Sequence, residues 1–195
     1  MKSNKEFQSA DMLLFCETWL TEEGTSSDNF EIDGFKSPIK VQGWNTHRGL
    51  VSYSKQKTKT SQKIVNEHFE LMHLFFNSAT LPYSIILFYR ASDYDDVTML
   101  TNFIESIIQD PRQKDKTLIV MGYANLDITN ATDSRTLQYL EKMNNLKLTQ
   151  LVSLPTTMYK STLDHIWISS TNIDYTHNVR TKYYSDHMPL LLDII

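Results

Sequence analysis

At 195 residues the chain has the length of one domain, and its 41% hydrophobic and 11% aromatic content excludes an intrinsically disordered protein. The formal net charge of -4 excludes a protein that coats nucleic acid with a strongly basic surface, so any nucleic-acid contact is expected to be local. No window approaches the roughly 20 apolar residues of a membrane span, and the polar residues 1–8 lack the apolar region of a secretory signal.

These properties predict a single domain over residues 1–195 in a soluble, intracellular protein without a membrane partner. The chain has one cysteine, Cys16, inside the apolar run from Met12. A single cysteine excludes a disulfide framework and favours a reducing compartment, and we expect Cys16 to be a small core residue.

The first predicted elements are the end of a short helix at Phe7 to Asp11 and a buried strand at Met12 to Cys16. Residues 21–36 are predicted to form a loop, and Gly49 to Tyr53 a strand. A basic cluster follows that strand, alternating with Gln and Thr, and consists of Lys55, Lys57, Lys59 and Lys63. We interpret it as a solvated loop, with a phosphate-contacting segment as the alternative.

Two later runs, His68 to Phe76 and Ser84 to Tyr89, are apolar on both faces and predict strands lying between layers. Helical spacing predicts helices at Val97 to Gln109, stopped by Asp110-Pro111, and at Ser134 to Asn144. The remaining predicted strands are Thr117 to Gly122, Leu146 to Leu151, Leu163 to Ser169 and Pro189 to Ile195. Many short strands with few helices favour an α+β domain of two packed sheets with helices outside.

Polar residues stand where several of these strands begin or end. The strand ending at Gly122 runs into Tyr123, Ala124 and Asn125, and the chain enters each of the last two strands at an Asp-His pair. A buried strand that stops at polar residues holds their side chains at the mouth of a cleft. The residues alone therefore predict an enzyme-like domain with an acidic cleft that contains histidine.

Seven motifs occur in a fixed order along nearly the whole chain. They are ETWL from Glu17, the glycine-led strand at Gly49, Tyr89-Arg90, Gly122-x-x-Asn125, QLVSLPT from Gln150, STLDHI from Ser161, and Ser185-Asp186-His187. In this order they resemble the endonuclease/exonuclease/phosphatase superfamily, and most closely the apurinic-type endonuclease domains of LINE-like retrotransposons. The resemblance implies a four-layer α/β/β/α sandwich of two mixed sheets flanked by helices. It also implies that the first core strand, which bears a catalytic asparagine, is lacking before the first predicted helix.

The resemblance also implies roles for individual residues. Glu17 and Asp186 would bind Mg²⁺ or Mn²⁺, a hard cation that is satisfied by one or two carboxylates and water. Tyr89, Asn125, Asp164 and His187 would be catalytic, with Asp164 orienting and charging His187 against the phosphate. Arg90 and Asn125 would bind the substrate, whereas His165 is expected to be structural.

Two positions depart from the superfamily's Gly-Asp-Phe-Asn motif, because Tyr123 replaces the aspartate and Ala124 replaces the phenylalanine. A phenol with a pKa near ~10 cannot accept a proton at neutral pH. We therefore expect Mg²⁺-dependent hydrolysis of a DNA phosphodiester to be strongly weakened or lost. The protein would be nuclear if it acts on DNA. The alternatives are a pseudoenzyme that binds nucleic acid or protein, through the old cleft or a sheet edge, and a gene fragment of an active endonuclease.

Overall fold

The computed structural model describes residues 5–19, 31–76, 83–130, 132–169, 174–180 and 185–195. The helices of this part of the chain are α1 Lys5–Ser9, α2 Thr98–Ile108 and α3 Ser134–Asn145, with a short 3-10 helix at Pro111–Gln113. The strands are β1 Met12–Phe15, β2 Ile39–Gln42, β3 Gly49–Ser54, β4 Thr58–Val65, β5 Phe69–Phe76, β6 Tyr83–Arg90, β7 Thr117–Tyr123, β8 Leu148–Gln150, β9 Asp164–Ser169, β10 Tyr175–Val179 and β11 Leu190–Ile194.

The largest sheet has six strands in the order β4-β5-β6-β7-β9-β8. All neighbours are antiparallel except β6 and β7, which run parallel and are connected through α2, as a parallel pair requires a crossover. Nearly every residue of β5 and β6 is buried. This confirms the prediction that these two runs, apolar on both faces, lie between layers.

Helices α2 and α3 cover one face of the six-stranded sheet. Their apolar residues share a core cluster with the sheet residues Phe69, Phe88, Val120 and Trp167; the helical members include Leu100, Ile104, Ile107, Tyr139 and Met143. The helical spacing of Leu100, Ile104, Ile107 and Met143 predicted this packing, whereas Tyr139 was not part of the predicted pattern. No helix in the described ranges is long and apolar enough to cross a membrane.

The other face of the sheet carries a second layer of strands. It consists of a three-stranded antiparallel sheet, β1-β3-β2, and an antiparallel pair, β10-β11. Helix α1 lies outside this layer, where Phe7 packs on Leu13, Val51 and Tyr53. The order of layers is therefore helix, sheet, sheet, helix, and the predicted α+β sandwich is confirmed.

Within the described residues, β1 and β11 each end a separate sheet. Their half-buried apolar side chains nevertheless pack on one core cluster with Ile119 and Ile166 of the large sheet; they are Met12, Leu14, Leu190, Leu192 and Ile194. Strand edges that lie over a common core leave backbone donors and acceptors open to a further strand.

The sequence missed β2, β4 and β10. The predicted loop is wrong for Lys59 and Lys63, which are exposed on β4, the strand at one edge of the large sheet. Charged side chains are typical of such an edge because they discourage pairing with other chains. Of the predicted loop at 21–36, residues 31–36 contain neither helix nor strand, and the rest lies outside the described residues.

Gly122 allows β6 and β7 to approach each other closely. Its φ is 153°, and a Cβ added there would lie 1.9 Å from the carbonyl oxygen of Phe88. Any side chain would have to displace the backbone of the neighbouring strand. This close pairing fixes the position of the next residue, Tyr123, at the end of β7.

Candidate active site

A row of polar side chains crosses four strands at one end of the large sheet. The register pairs Glu70 of β5 with Tyr89 of β6, Tyr89 with Tyr123 of β7, and Tyr123 with Asp164 of β9. Register partners on adjacent strands project from the same face. The sheet therefore brings Tyr89, Tyr123 and Asp164 together although they are far apart in the sequence.

His187 joins this row from outside the sheet. Its Nδ1 lies 2.7 Å from Oδ2 of Asp164, and its backbone forms a bridge with Thr157. The hydrogen bond to Asp164 raises the pKa of His187, against the opposing effect of burial. An imidazolium held in this way can stabilise negative charge on a phosphate oxygen.

Tyr123 occupies the space between Tyr89 and His187. The Tyr123 ring centroid lies 5.5 Å from that of Tyr89 and 4.8 Å from that of His187. Burial raises the pKa of Tyr123, and the nearby carboxylates of Glu17 and Asp164 raise it further. The phenol in the middle of the site is therefore protonated and cannot act as a base near neutral pH.

Glu17 lies beside the same row, just beyond the end of β1. The side chain of Tyr89 lies beside its carboxylate. Burial raises the pKa of Glu17, and the negative charges of Asp186 and Asp164 raise it as well, whereas Tyr89 and His187 lower it. The site thus concentrates carboxylates that repel one another.

A divalent cation would relieve this repulsion, so the chemistry of the donors fits the predicted metal. Among the described residues, however, no three His, Cys, Asp or Glu side chains are grouped closely enough to hold an ion. Glu17 and Asp186 would supply at most a partial shell, which suits Mg²⁺ because that ion keeps several waters.

Asn125 and Arg90 lie at the turn that follows β7. Asn125 has a left-handed backbone with φ 54°, and its side-chain amide donates to the carbonyl oxygen of Arg90 at 3.3 Å. The Arg90 side chain is only 2% exposed and donates to the carbonyl oxygens of Ala124 and Tyr94. The Arg90 side chain therefore supports the turn from the interior of the protein, and very little of it is exposed at the site.

Sequence reasoning missed Glu70 and Arg48. Glu70 is completely buried and accepts hydrogen bonds from the backbone N–H groups of Trp44 and Gly49, both at 2.8 Å. Arg48 is 5% exposed, and its guanidinium carbon lies 5.6 Å from the ring centroid of Tyr89. Glu70 is the one acidic residue within the apolar run of β5. This position could have indicated its role, since a buried charge requires partners.

His165 is the histidine of the other Asp-His pair, and it is completely buried. Its Nε2 lies within 3.2 Å of the carbonyl oxygens of Leu126 and Thr162, and its ring is 5.5 Å from that of Tyr139. Burial lowers the pKa of His165 to about 4. It is a neutral structural residue, in keeping with the role expected from the sequence.

The overall arrangement is similar to that of several solved structures. The endonuclease domain of TRAS1, a telomere-specific non-LTR retrotransposon, is 16% identical, with a TM-score of 0.72 over 96% of this chain and 86% of that one. The mannosyl-6-phosphatase Bt3783 of Bacteroides thetaiotaomicron is 13% identical, with a TM-score of 0.67 over 97% and 87%. The AP endonuclease LMAP of Leishmania major is 12% identical, with a TM-score of 0.66 over 95% and 78%.

No protein-family profile and no curated protein matches the sequence. The similarity to these structures therefore lies in the fold. Strand order, layers and structural neighbours agree with the resemblance found in the sequence: the chain has the fold of the endonuclease/exonuclease/phosphatase superfamily.

Proposed function

We propose that this chain is a domain of retrotransposon-endonuclease descent that binds a DNA phosphodiester and hydrolyses it slowly or not at all. The observation that carries the proposal is the position of Tyr123, whose ring contacts His187 and Tyr89 in the middle of the site. The hydrogen-bonded pair of His187 and Asp164 beside it supports retained phosphate binding. The proposed protein thus keeps the residues that hold a phosphate and lacks the residue that would activate water.

His187, protonated beside Asp164, would bind a non-bridging phosphate oxygen. The Tyr89 hydroxyl has one proton and is a neutral donor, which would turn from Glu17 to a second phosphate oxygen. Asn125 stands at the adjoining turn, where its amide would hold the phosphate or a water. Tyr123 stands at the position of the superfamily's general base, and losing general-base assistance costs about 10²- to 10⁴-fold in rate.

Glu17 and Asp186 would hold Mg²⁺ or Mn²⁺. Such an ion supplies charge for the phosphate oxygens and lowers the pKa of a bound water. Mutual repulsion between these carboxylates favours a bound cation, whereas the small number of protein ligands favours weak binding.

Neighbours with this fold include an endonuclease domain and a phosphatase, so the fold alone leaves the substrate open. DNA is favoured by the ordered motifs shared with retrotransposon endonucleases. The net charge of -4 is compatible with local contacts at the site and with a cation that offsets the carboxylates.

Plasmid nicking tests the proposal. Supercoiled plasmid is incubated with Mg²⁺ or Mn²⁺ and with the wild type, His187→Ala or Glu17→Gln. We expect slow nicking at most, and plasmid binding that His187→Ala weakens. Rapid nicking by the wild type, abolished by His187→Ala, would contradict the impairment. Binding that neither substitution changes would contradict a phosphate site at His187.

In the part of the chain that the structure describes, the outer edges of β1 and β11 have no neighbouring strand, which favours a second candidate function, the binding of an extended segment of a partner protein. Their half-buried apolar residues lie over one core cluster, and an added strand would both pair with these edges and cover that apolar surface. Hydrogen exchange tests this. We expect amides on the outer edges of β1 and β11 to exchange faster than those of β6, and equal protection in the isolated protein would contradict open edges.

A further inference from the structure

Two large aromatic side chains stand exposed at the rim of the site. Trp19 is 62% and Trp44 is 58% exposed. The Trp19 ring contacts the exposed ring of His47 with 4.9 Å between centroids. Trp167 behaves in the usual way: it is completely buried and donates to the Tyr139 hydroxyl at 3.0 Å.

The backbone that carries these rings is held firmly. The buried carboxylate of Glu70 accepts from the N–H of Trp44, and Trp19 donates its N–H to the carbonyl oxygen of Arg48 at 3.0 Å. The side chain of Asn45 accepts from the N–H of His47 at 3.0 Å. The exposed rings therefore project from a fixed support, which reduces the conformational entropy lost when a ligand binds.

Trp19 and Glu17 both adopt left-handed backbone conformations, with φ 54° and 51°. Residues other than glycine rarely do so, and such positions cluster at functional sites. Pairing of Thr18 with Gly49 and of Trp19 with Arg48 keeps this segment in place. The conformation that positions the Glu17 carboxylate therefore also positions the Trp19 ring.

The segments that carry the exposed rings adjoin the proposed phosphate site. Trp19 and Glu17 are two residues apart, so their Cα atoms are separated by at most about 7 Å. Arg48, which follows His47, lies over the Tyr89 ring. Successive nucleotides of one strand are spaced by about 3.4 Å along a duplex, so a base within a few nucleotides of the bound phosphate can reach the rings.

We propose that Trp19, supported edge to face by the His47 ring, and Trp44 form a stacking platform for an unpaired nucleobase close to the phosphate bound at His187. The inference rests on the proposed function and specifies its substrate as a nucleic acid with a single-stranded or extruded base. Bases inside a duplex have both faces covered by their neighbours, whereas an unpaired base offers a face to an aromatic ring. Stacking of this kind is tolerant of base identity, so the platform would bind any unpaired base and would not distinguish between nucleotide sequences.

Labelled single strands of equal length test the platform at one fixed salt concentration. One is an oligothymidine, and the other has the same sugar-phosphate backbone without bases. We expect wild-type protein to bind the thymidine strand at least about tenfold more tightly, a typical contribution of base stacking. Trp19→Ala and Trp44→Ala should reduce this preference, while Trp19→Phe should restore most of it. Equal affinity of the wild type for the two strands would overturn the platform.

Two further variants separate the platform from the phosphate site. His187→Ala should weaken the binding of both strands by the same factor and leave their ratio unchanged. If His187→Ala bound the baseless strand as tightly as the wild type does, the phosphate site would be refuted but the platform would not. The platform is tested by the ratio of the affinities for the two strands. The double variant Trp19→Phe, Trp44→Phe keeps only Trp167, so thymidine should no longer quench tryptophan fluorescence. Persistent quenching there would place the contact elsewhere and overturn the inference.

Discussion

The ring of Tyr123 stands nearly perpendicular to that of His187, with 4.8 Å between their centroids and 78° between their planes. The same imidazole is hydrogen-bonded to Asp164, with 2.7 Å between its Nδ1 and Oδ2 of the carboxylate. A phosphate that approaches the imidazole therefore meets a protonated phenol beside it. In the proposed function His187 holds the phosphate, and Tyr123 stands in place of the anion that would deprotonate water.

Replacing Tyr123 with aspartate should restore the missing base. With saturating Mg²⁺, we expect Tyr123→Asp to nick supercoiled plasmid about 100-fold faster than the wild type, within the range of general-base catalysis. Tyr123→Phe is the matched control, because it removes the hydroxyl and keeps the ring contacts. If Tyr123→Phe eliminated the residual activity of the wild type, the hydroxyl itself would take part in the reaction.

Gly122 offers a test of the close approach between β6 and β7. An alanine Cβ there would lie 1.9 Å from the carbonyl oxygen of Phe88, so Gly122→Ala must separate the strands. Gly34 is a matched control, since it too has a positive φ, of 88°, but nothing lies within 4 Å of an added Cβ. Urea unfolding should show Gly122→Ala to be less stable than Gly34→Ala by at least about 3 kcal/mol, a severe packing clash. Similar stabilities would show that the strands can move apart at little cost.

The strongest sequence signals came from buried elements. The mostly apolar sequences of β5 and β6 and the helical spacing of α2 and α3 predicted those elements to within a few residues, because burial on one or both faces leaves a clear pattern. Strand β2 alternates apolar and polar residues but was missed because it is only four residues long, whereas β10 was missed for the opposite reason. Residues of β10 such as His177 and Asn178 are exposed, so its sequence carries no alternation.

The candidate site was predicted from motifs rather than periodicity. Motif order placed Tyr89, Tyr123, Asp164 and His187 in one site, and the register of β6, β7 and β9 shows how they meet. The roles of Glu70 and Arg90 could not be predicted from the sequence, because a buried charged group depends on partners that the tertiary structure brings from distant parts of the chain. Arg90, predicted to bind substrate, is instead packed against backbone carbonyl oxygens.

Glu70 should contribute strongly to stability. Its carboxylate accepts two backbone N–H groups in a fully buried position, and in Glu70→Gln the new amide would face one of those donors. We expect a loss of about 2 kcal/mol in the free energy of unfolding, the cost of an unsatisfied buried donor. Glu141→Gln, at an exposed position of α3, should change it by less than about 0.5 kcal/mol. Urea titrations of the two variants measure the difference, and equal effects would show that Glu70 is dispensable.

His165 should make stability depend on pH between its unfolded and folded pKa values. Burial lowers its folded pKa to about 4, whereas an exposed histidine has a value near 6.5, so the unfolded chain binds the extra proton first as pH falls. The stabilisation is complete above about pH 6.5 and is lost as pH falls toward about 4, amounting to about 2 kcal/mol between pH 7.5 and pH 5.0. His165→Asn should be less stable than the wild type at neutral pH. Between pH 7.5 and pH 5.0, however, its free energy of unfolding should fall by about 2 kcal/mol less than that of the wild type. The titration of buried His73 is common to both proteins and does not affect this difference. Urea unfolding at both pH values measures the four free energies, and parallel losses in the two proteins would show that His165 is protonated in the folded state.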